Sequence, residues 1–149
     1  MIKKYQHKYL HLSIFLICLL SRLLFKLISG YNNFELFGDS TRYDMLSDRI
    51  LEGNFDLDIV AFIVAPLYPY FLVLCKWIAS ENWELLAVSS QFLLVSLSSV
   101  YIYKTAFLIF KSTEVAIISA IIFIIYPMTL WYNFTLTQET LFQSFFIIF

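Results

Sequence analysis

Long and nearly uncharged apolar runs are the feature that most constrains what this chain can fold into. Hydrophobic residues make up 60% of its 149 residues and charged residues only 14%, whereas soluble domains carry about 25% charged residues. Several runs approach the ~20 residues that a helix needs to cross a bilayer. Because these runs are continuously apolar rather than alternating, they favour helices over a barrel. The sequence therefore predicts an all-α, polytopic transmembrane protein.

Charge patterning predicts how the chain enters the membrane. Three lysines precede the first apolar run, residues 9–28, and the positive-inside rule therefore places the N-terminus in the cytoplasm. This run is too long for a typical signal peptide and lacks a small-residue cleavage site, so it is interpreted as a retained anchor. Residues 30–58, with seven acidic and two basic side chains and a net charge of −5, then lie outside.

The next basic cluster, Lys104 and Lys111, belongs in the cytoplasm by the same rule, so one crossing should separate it from the outer loop. Two apolar segments lie between them, and the first carries Pro66 and Pro69, which disfavour a helix interior. We therefore predict that this segment is a helix on or just inside the outer membrane surface. The predicted spans are about 9–28, 84–103, 115–132 and 140–149, with an outer loop over about 30–83 and a surface helix within 59–79.

The resulting expectation is a multi-pass integral membrane protein, in a bacterial inner or plasma membrane. The last apolar run stops about ten residues in, which natural membrane proteins rarely do. The sequence is therefore interpreted as the N-terminal part of a longer protein. A helix start is predicted at Ser112-Thr113-Glu114, and Cys18 and Cys75 are predicted to be thiols buried in the membrane.

An acidic helix over residues 40–52 interrupts the apolar pattern. Asp39 or Ser40 is expected to cap it, because their side-chain oxygens accept the free N-terminal N–H groups. Asp44, Asp48 and Glu52 recur every four residues, which predicts a single solvated acidic face.

Charged residues at the edges of predicted spans have two interpretations each. Arg22 and Lys26 either extend to the outer headgroups or form a cationic wall that receives a lipid phosphate. Glu139 is either a helix N-terminal charge favoured by the dipole or a functional acid at the mouth of the last span. The net charge of −1 suggests no nucleic-acid partner.

Three motifs together resemble one enzyme class. "GDSTRYDMLSDRILEGNFD" resembles the first outer loop of the family 39-like, GT-C class glycosyltransferases, which use polyprenyl-phosphate sugars. Asp39 to Tyr43 corresponds to the family's Asp-Glu-x-x-Tyr, and Gly53 closes the helix that follows. "APLYPYFLVLCKWI" (65–78) is similar to the family's Pro-Pro-Leu-Tyr-Pro surface helix, and "TLTQETLFQSF" to its second acidic position. Ser40 and Ala65 depart from the family pattern.

The resemblance implies an inverting sugar transfer on the outer side of the membrane. Asp39 would act as general base on the acceptor, and Glu139 would be the second catalytic carboxylate. Asp39 and Glu139 would also be the ligands of a divalent cation such as Mg²⁺ or Mn²⁺, since oxygen ligands suit a hard cation. Donor phosphate and sugar contacts would come from Arg22, Arg42, Tyr43 and Tyr68.

The implied partners are a polyprenyl-phosphate-linked sugar and a lipid, glycan or protein acceptor. With four or so spans, the chain alone is expected to be inactive, because the family's donor groove needs more helices. The alternative is a small non-catalytic membrane protein, such as a lipid-sugar flippase subunit or an assembly factor. A transporter fits less well, because ionisable residues are almost absent from the later predicted spans.

Overall fold

The computed structural model describes residues 2–29, 38–55 and 65–149, with side chains described from Tyr9 onward. Within these ranges the chain is helical and contains no strand, which confirms the all-α prediction for them. Residues 30–37 and 56–64 of the predicted outer loop, including Glu35, Asp56 and Asp58, lie outside the described residues. The helices are α1 (Ile2–Ser29), α2 (Asp39–Leu51), α3 (Leu67–Ala79), α4 (Trp83–Phe110), α5 (Thr113–Ile125), α6 (Pro127–Phe134) and α7 (Glu139–Ile148).

Two helical runs in the described ranges are long and apolar enough to cross a membrane, Tyr9–Ile28 and Leu67–Phe110. The first coincides with the predicted span 9–28. The pair α5 and α6 adds a third if it counts as one bent span. These runs support a membrane protein. The number of crossings and their direction stay predictions.

The run Leu67–Phe110 turns back on itself. A 3₁₀ turn at Ser80–Asn82 separates α3 from α4, and the Tyr68 hydroxyl donates to Gln91 Oε1 at 2.8 Å. On one straight helix these two residues would lie roughly 35 Å apart, so α3 must pack beside the beginning of α4. The 13 residues of α3 cover only about 20 Å, less than the ~30 Å hydrocarbon core. Helix α3 alone is therefore too short to cross the membrane. Its location on the outer membrane surface stays a prediction.

A proline divides the segment that was predicted to be a continuous span over 115–132. Pro127 begins α6, and Tyr126 before it is extended, with φ −62° and ψ 119°. Proline has no N–H and excludes the helical conformation of the residue before it. The two helices consequently meet at an angle of 49°. The predicted start of α5 is confirmed, because Ser112 Oγ accepts a hydrogen bond from the Val115 N–H at 3.3 Å.

Helix α4 is the centre of the described bundle and contacts α1, α3, α5, α6 and α7. Its buried side includes Ser96, Ser98 and Ser99, whose hydroxyls donate to carbonyl oxygens of the same helix. Small side chains of this kind let neighbouring helices approach closely in lipid. Cys18 and Cys75 are free and buried, as predicted.

The acidic helix α2 begins and ends close to its predicted limits. Gly53 follows it with φ +90°, and the Gly53 and Asn54 N–H groups donate to the carbonyls of Ile50 and Arg49, both at 3.0 Å. This pattern is a Schellman motif, in which glycine readily adopts the left-handed conformation. The predicted side-chain cap is wrong. Gly38 occupies the N-cap position, no side chain caps the helix, and Asp39 already belongs to its first turn.

Candidate functional site

A lysine from α3 holds α2 in place. Lys76 Nζ lies 2.6 Å from Asp44 Oδ1 and 2.5 Å from Asp48 Oδ1, and 4.7 Å from the centre of the Trp83 ring. The predicted solvated face is confirmed for Asp48 and Glu52, which are exposed, and is wrong for Asp44, whose side chain is only 20% exposed. The spacing of the acids gave no sign of a cation from another helix.

Asp39 and Arg42 lie one turn apart on the exposed side of α2. Arg42 Nη1 is 3.4 Å from Asp39 Oδ1, and the Asp39 side chain is 64% exposed. Tyr43 lies one turn after Asp39, yet it is only 3% exposed. The first predicted carboxylate is thus accessible to a ligand, and the tyrosine of the same motif is enclosed by protein.

Tyr43 connects the two predicted carboxylates. Burial raises the pKa of Tyr43 to about 12, and the negative charges of Glu139 and then Asp39 add to the increase, while Arg42 opposes it. Two acids 100 positions apart in sequence therefore lie near one phenol. Its high pKa keeps Tyr43 a neutral hydrogen-bond donor at physiological pH. The Tyr43 ring also packs edge-on against Tyr68, with centroids 4.9 Å apart.

Gln91 fixes the position of Tyr68 relative to the C-terminal helices. Its Oε1 accepts from the Tyr68 hydroxyl at 2.8 Å, and its Nε2 donates to the backbone carbonyls of Asn133 and Thr135, both at 3.1 Å. Gln91 is fully buried. One amide thereby ties α3 and α4 to the segment that leads into α7.

Arg22 of α1 is also fully buried, with 0% exposure. Its Nη1 donates to the Ile124 carbonyl at 2.6 Å and to Ser21 Oγ at 2.8 Å, and its Nε donates to Asn133 Oδ1 at 3.1 Å. Ile124 lies in the last turn of α5, where helix carbonyls lack partners from their own helix. Arg22 therefore satisfies a backbone group that the break before Pro127 leaves free. Its Nη2 has no hydrogen-bond partner.

The beginning of α7 is held by the same network. Asn133 Nδ2 donates to Thr140 Oγ1 at 3.3 Å, and the Thr140 hydroxyl donates to the Tyr132 carbonyl at 2.9 Å. Immediately before Thr140, Gln138 Oε1 and Glu139 Oε2 are buried and have no hydrogen-bond partner among the residues that the structure describes. Buried acceptors of this kind are rare in folded proteins and call for an explanation.

A cavity of about 430 Å³ opens beside Gln138, between the beginning of α3 and α7. Its volume falls within the range of small-molecule sites, roughly 300–1,000 Å³. The wall is almost entirely apolar or aromatic. It is lined by Ala65, Leu67, Tyr68, Gln138, Leu141, Phe142 and Phe145.

The predicted site residues do not all come together. Tyr43 lies near Asp39, Glu139 and Tyr68, and Arg42 pairs with Asp39. Arg22 is bonded to protein atoms of α1, α5 and α6 instead. Sequence analysis missed the buried residues Gln91, Asn133 and Thr140 and the half-buried Gln138, although an amide within an apolar helix, as at 91, is a usable signal.

Among the residues that the structure describes, no three side chains of the His, Cys, Asp or Glu type gather as a metal site would require. Asp39 is paired with Arg42. The predicted ligation by Asp39 and Glu139 stays a prediction.

Comparison with protein-family models, with curated proteins and with solved structures gives no significant match. The resemblance to GT-C glycosyltransferases thus rests on the three sequence motifs and their order.

Proposed function

We propose that this chain forms the N-terminal part of a membrane glycosyltransferase that uses a polyprenyl-phosphate sugar on the outer side of the membrane. The observation that carries the proposal is that side chains of all three motifs lie together: the Tyr43 ring packs edge-on against Tyr68, with centroids 4.9 Å apart, and Tyr68 and Gln138 line the same cavity. Burial, and then the negative charges of Glu139 and Asp39, raise the pKa of Tyr43, which agrees with this arrangement. The wall of the cavity is apolar.

In the proposed reaction Asp39 removes the proton from the acceptor hydroxyl or amine as that group attacks the anomeric carbon. The bond between that carbon and the phosphate oxygen breaks, and the lipid phosphate leaves with the electron pair. An accessible carboxylate fits this role, because a general base must reach its substrate within hydrogen-bond distance. The Arg42 guanidinium, 3.4 Å from Asp39, is suited to contact the departing phosphate.

The remaining residues would position the substrates. Tyr43 and Tyr68 form a buried aromatic pair, and Tyr68 lines the cavity, where its ring would contact a substrate. Glu139 would bind the acceptor through its unpartnered Oε2. For Arg22 the contacts favour support of the fold, since two of its three nitrogen groups bond to protein atoms, and only Nη2 is left for a phosphate.

The test compares Asp39→Asn with Asp48→Asn in the gene's native context, measuring sugar transfer from a labelled polyprenyl-phosphate sugar in membranes. Both changes remove one exposed carboxylate from α2, so they are matched in charge and location. Loss of a general base should lower transfer by about 10²–10⁴-fold. The Asp48 variant should keep transfer within about twofold. Equal transfer by the Asp39→Asn variant and the wild type would remove Asp39 from the mechanism.

The non-catalytic alternative, a flippase subunit or an assembly factor, is favoured by one observation. Arg22 was predicted to bind the donor phosphate, but most of its hydrogen bonds go to protein atoms. Under this alternative, membranes lacking the chain would retain full transfer activity for the same labelled donor. Loss of that transfer on deletion, with the Asp39→Asn result above, supports the enzyme.

A further inference from the structure

We infer that the cavity between α3 and α7 receives the acceptor substrate, as an amphiphile that carries a hydroxyl or amine group, and not the phosphate of the donor lipid. This inference rests on the proposed function and assigns a substrate class to one part of its site. It follows from the hydrogen-bonding character of the groups at the cavity's polar end.

The wall of the cavity offers an apolar chain almost no polar contact. The Tyr68 hydroxyl is already used, because it donates to Gln91, so Tyr68 presents its ring. Among the lining residues, Gln138 is then the one whose side chain has a polar atom without a hydrogen bond. Its Oε1 is buried and has no partner.

Glu139, the next residue, also has an acceptor without a partner. Glu139 Oε2 is likewise buried and without a hydrogen bond. Both atoms accept hydrogen bonds, and leaving a buried acceptor unsatisfied is costly. A ligand in the cavity that supplies an O–H or N–H donor would satisfy Gln138 Oε1, and its hydrocarbon part would contact Leu141, Phe142 and Phe145.

An ionised phosphate would not satisfy Gln138 Oε1, because it brings acceptor oxygens and negative charge where a hydrogen-bond donor is needed. No charged side chain of the described residues lines the cavity. Lys76 of α3 is engaged by Asp44 and Asp48, and neither Lys76 nor Arg42 lines the cavity. The cavity therefore selects against the donor's phosphate and in favour of a group that can donate a proton.

Photo-crosslinking tests this selectivity without requiring any transfer reaction. The full chain is reconstituted in phosphatidylcholine vesicles with one of three diazirine-bearing lipids that share one hydrocarbon chain: the alcohol, its methyl ether or its phosphate monoester. Labelling of residues 141–145 is quantified by mass spectrometry. The alcohol should label the wild type about three- to tenfold more than either other probe, as one buried hydrogen bond allows.

Two variants distinguish the effect of the hydrogen bond on labelling from the effect of the cavity's shape. Gln138→Leu removes the acceptor and should bring the alcohol and ether to equal labelling. Gln138→Glu keeps acceptor oxygens in the same place and should keep the preference for the alcohol over the phosphate monoester. Equal labelling by alcohol and ether in the wild type, or stronger labelling by the phosphate monoester, would overturn the inference even if Gln138→Leu failed to fold. Because no sugar is involved, these outcomes do not depend on whether the Asp39 test succeeds.

Discussion

The Arg22 guanidinium donates at 2.6 Å to the carbonyl oxygen of Ile124, a residue 102 positions further along the chain. The acceptor lies at the bend between α5 and α6, where Pro127 interrupts the helical hydrogen bonds. In apolar surroundings a backbone group without a partner costs several kcal/mol. A helix break is therefore tolerated here because the first helix supplies the missing donor.

Replacing Arg22 with methionine should destabilise the fold by about 2–4 kcal/mol, because it leaves the Ile124 carbonyl and Asn133 Oδ1 buried without a donor. Thermal unfolding in detergent micelles, followed by circular dichroism, measures this. Leu23→Met on the same helix is the control. Its side chain is exposed, and its effect should stay within about 0.5 kcal/mol. Unchanged or increased stability of Arg22→Met would indicate that Arg22 serves a ligand rather than the fold.

The two acids that share Lys76 should contribute unequally. Asp44 is half-buried, whereas the Asp48 side chain is 57% exposed, and exposed ion pairs contribute about 0–1 kcal/mol. Asp44→Asn should therefore destabilise α2 by about 1–2 kcal/mol and Asp48→Asn by less than about 0.5 kcal/mol. Hydrogen exchange of the α2 amides reports this locally. Equal loss of protection in both variants would contradict the burial-based order.

The raised pKa of Tyr43 predicts how stability depends on alkaline pH. A tyrosine in the unfolded chain ionises near pH ~10, whereas Tyr43 in the folded protein ionises near about 12. The folded state thus retains this proton between the two values, and the stability that depends on it is complete below pH ~10 and lost as pH rises toward 12. Wild-type stability should fall more steeply than that of Tyr43→Phe across this window.

A difference titration of phenolate absorbance checks the same value directly. Subtracting the Tyr43→Phe curve from the wild-type curve should leave one group that titrates near pH 12. A difference curve centred near pH ~10 would show that Tyr43 is not surrounded by the burial and negative charge described above.

The predicted topology can be tested with single cysteines at two exposed positions, Trp77 and Lys111. In a background without Cys18 and Cys75, Trp77→Cys should react with an impermeant maleimide added outside intact cells. Lys111→Cys should react only after permeabilisation. The reverse pattern would place α2 and Asp39 on the cytoplasmic side, where the proposed reaction does not occur.

Features with a local cause were predictable from the sequence. The end of α1, the Ser112 cap and the Gly53 helix end follow from neighbouring residues, whereas α1 begins at Ile2, before the predicted start at residue 9. The break at Pro127 also has a local cause, but it was not predicted, because residues 115–132 are almost continuously apolar and were interpreted as one span. Helix α3 folds beside α4 through a turn at Ser80–Asn82 that carries no glycine or proline.

The site was predictable only where a motif marked it. Asp39, Tyr43, Tyr68 and Glu139 were selected from three motifs, and the structure brings them near one another. The partners of Arg22 and Lys76 were not predicted, because most of these partners lie in distant parts of the chain. The unpartnered acceptor of Gln138 is a property of the packed structure, and no sequence pattern reveals it.

The link between Arg22 and Asn133 has a consequence for how the protein is made. The two residues are 111 positions apart, and synthesis at about 5–20 residues per second separates their appearance by roughly 5–20 s. During that interval α1 is in the membrane, or at its surface, with a cation whose acceptors have not yet been made. An arginine at this depth is expensive to hold alone. The newly made helix should therefore remain near the insertion machinery, or near the headgroups, until the last third of the chain arrives to enclose it.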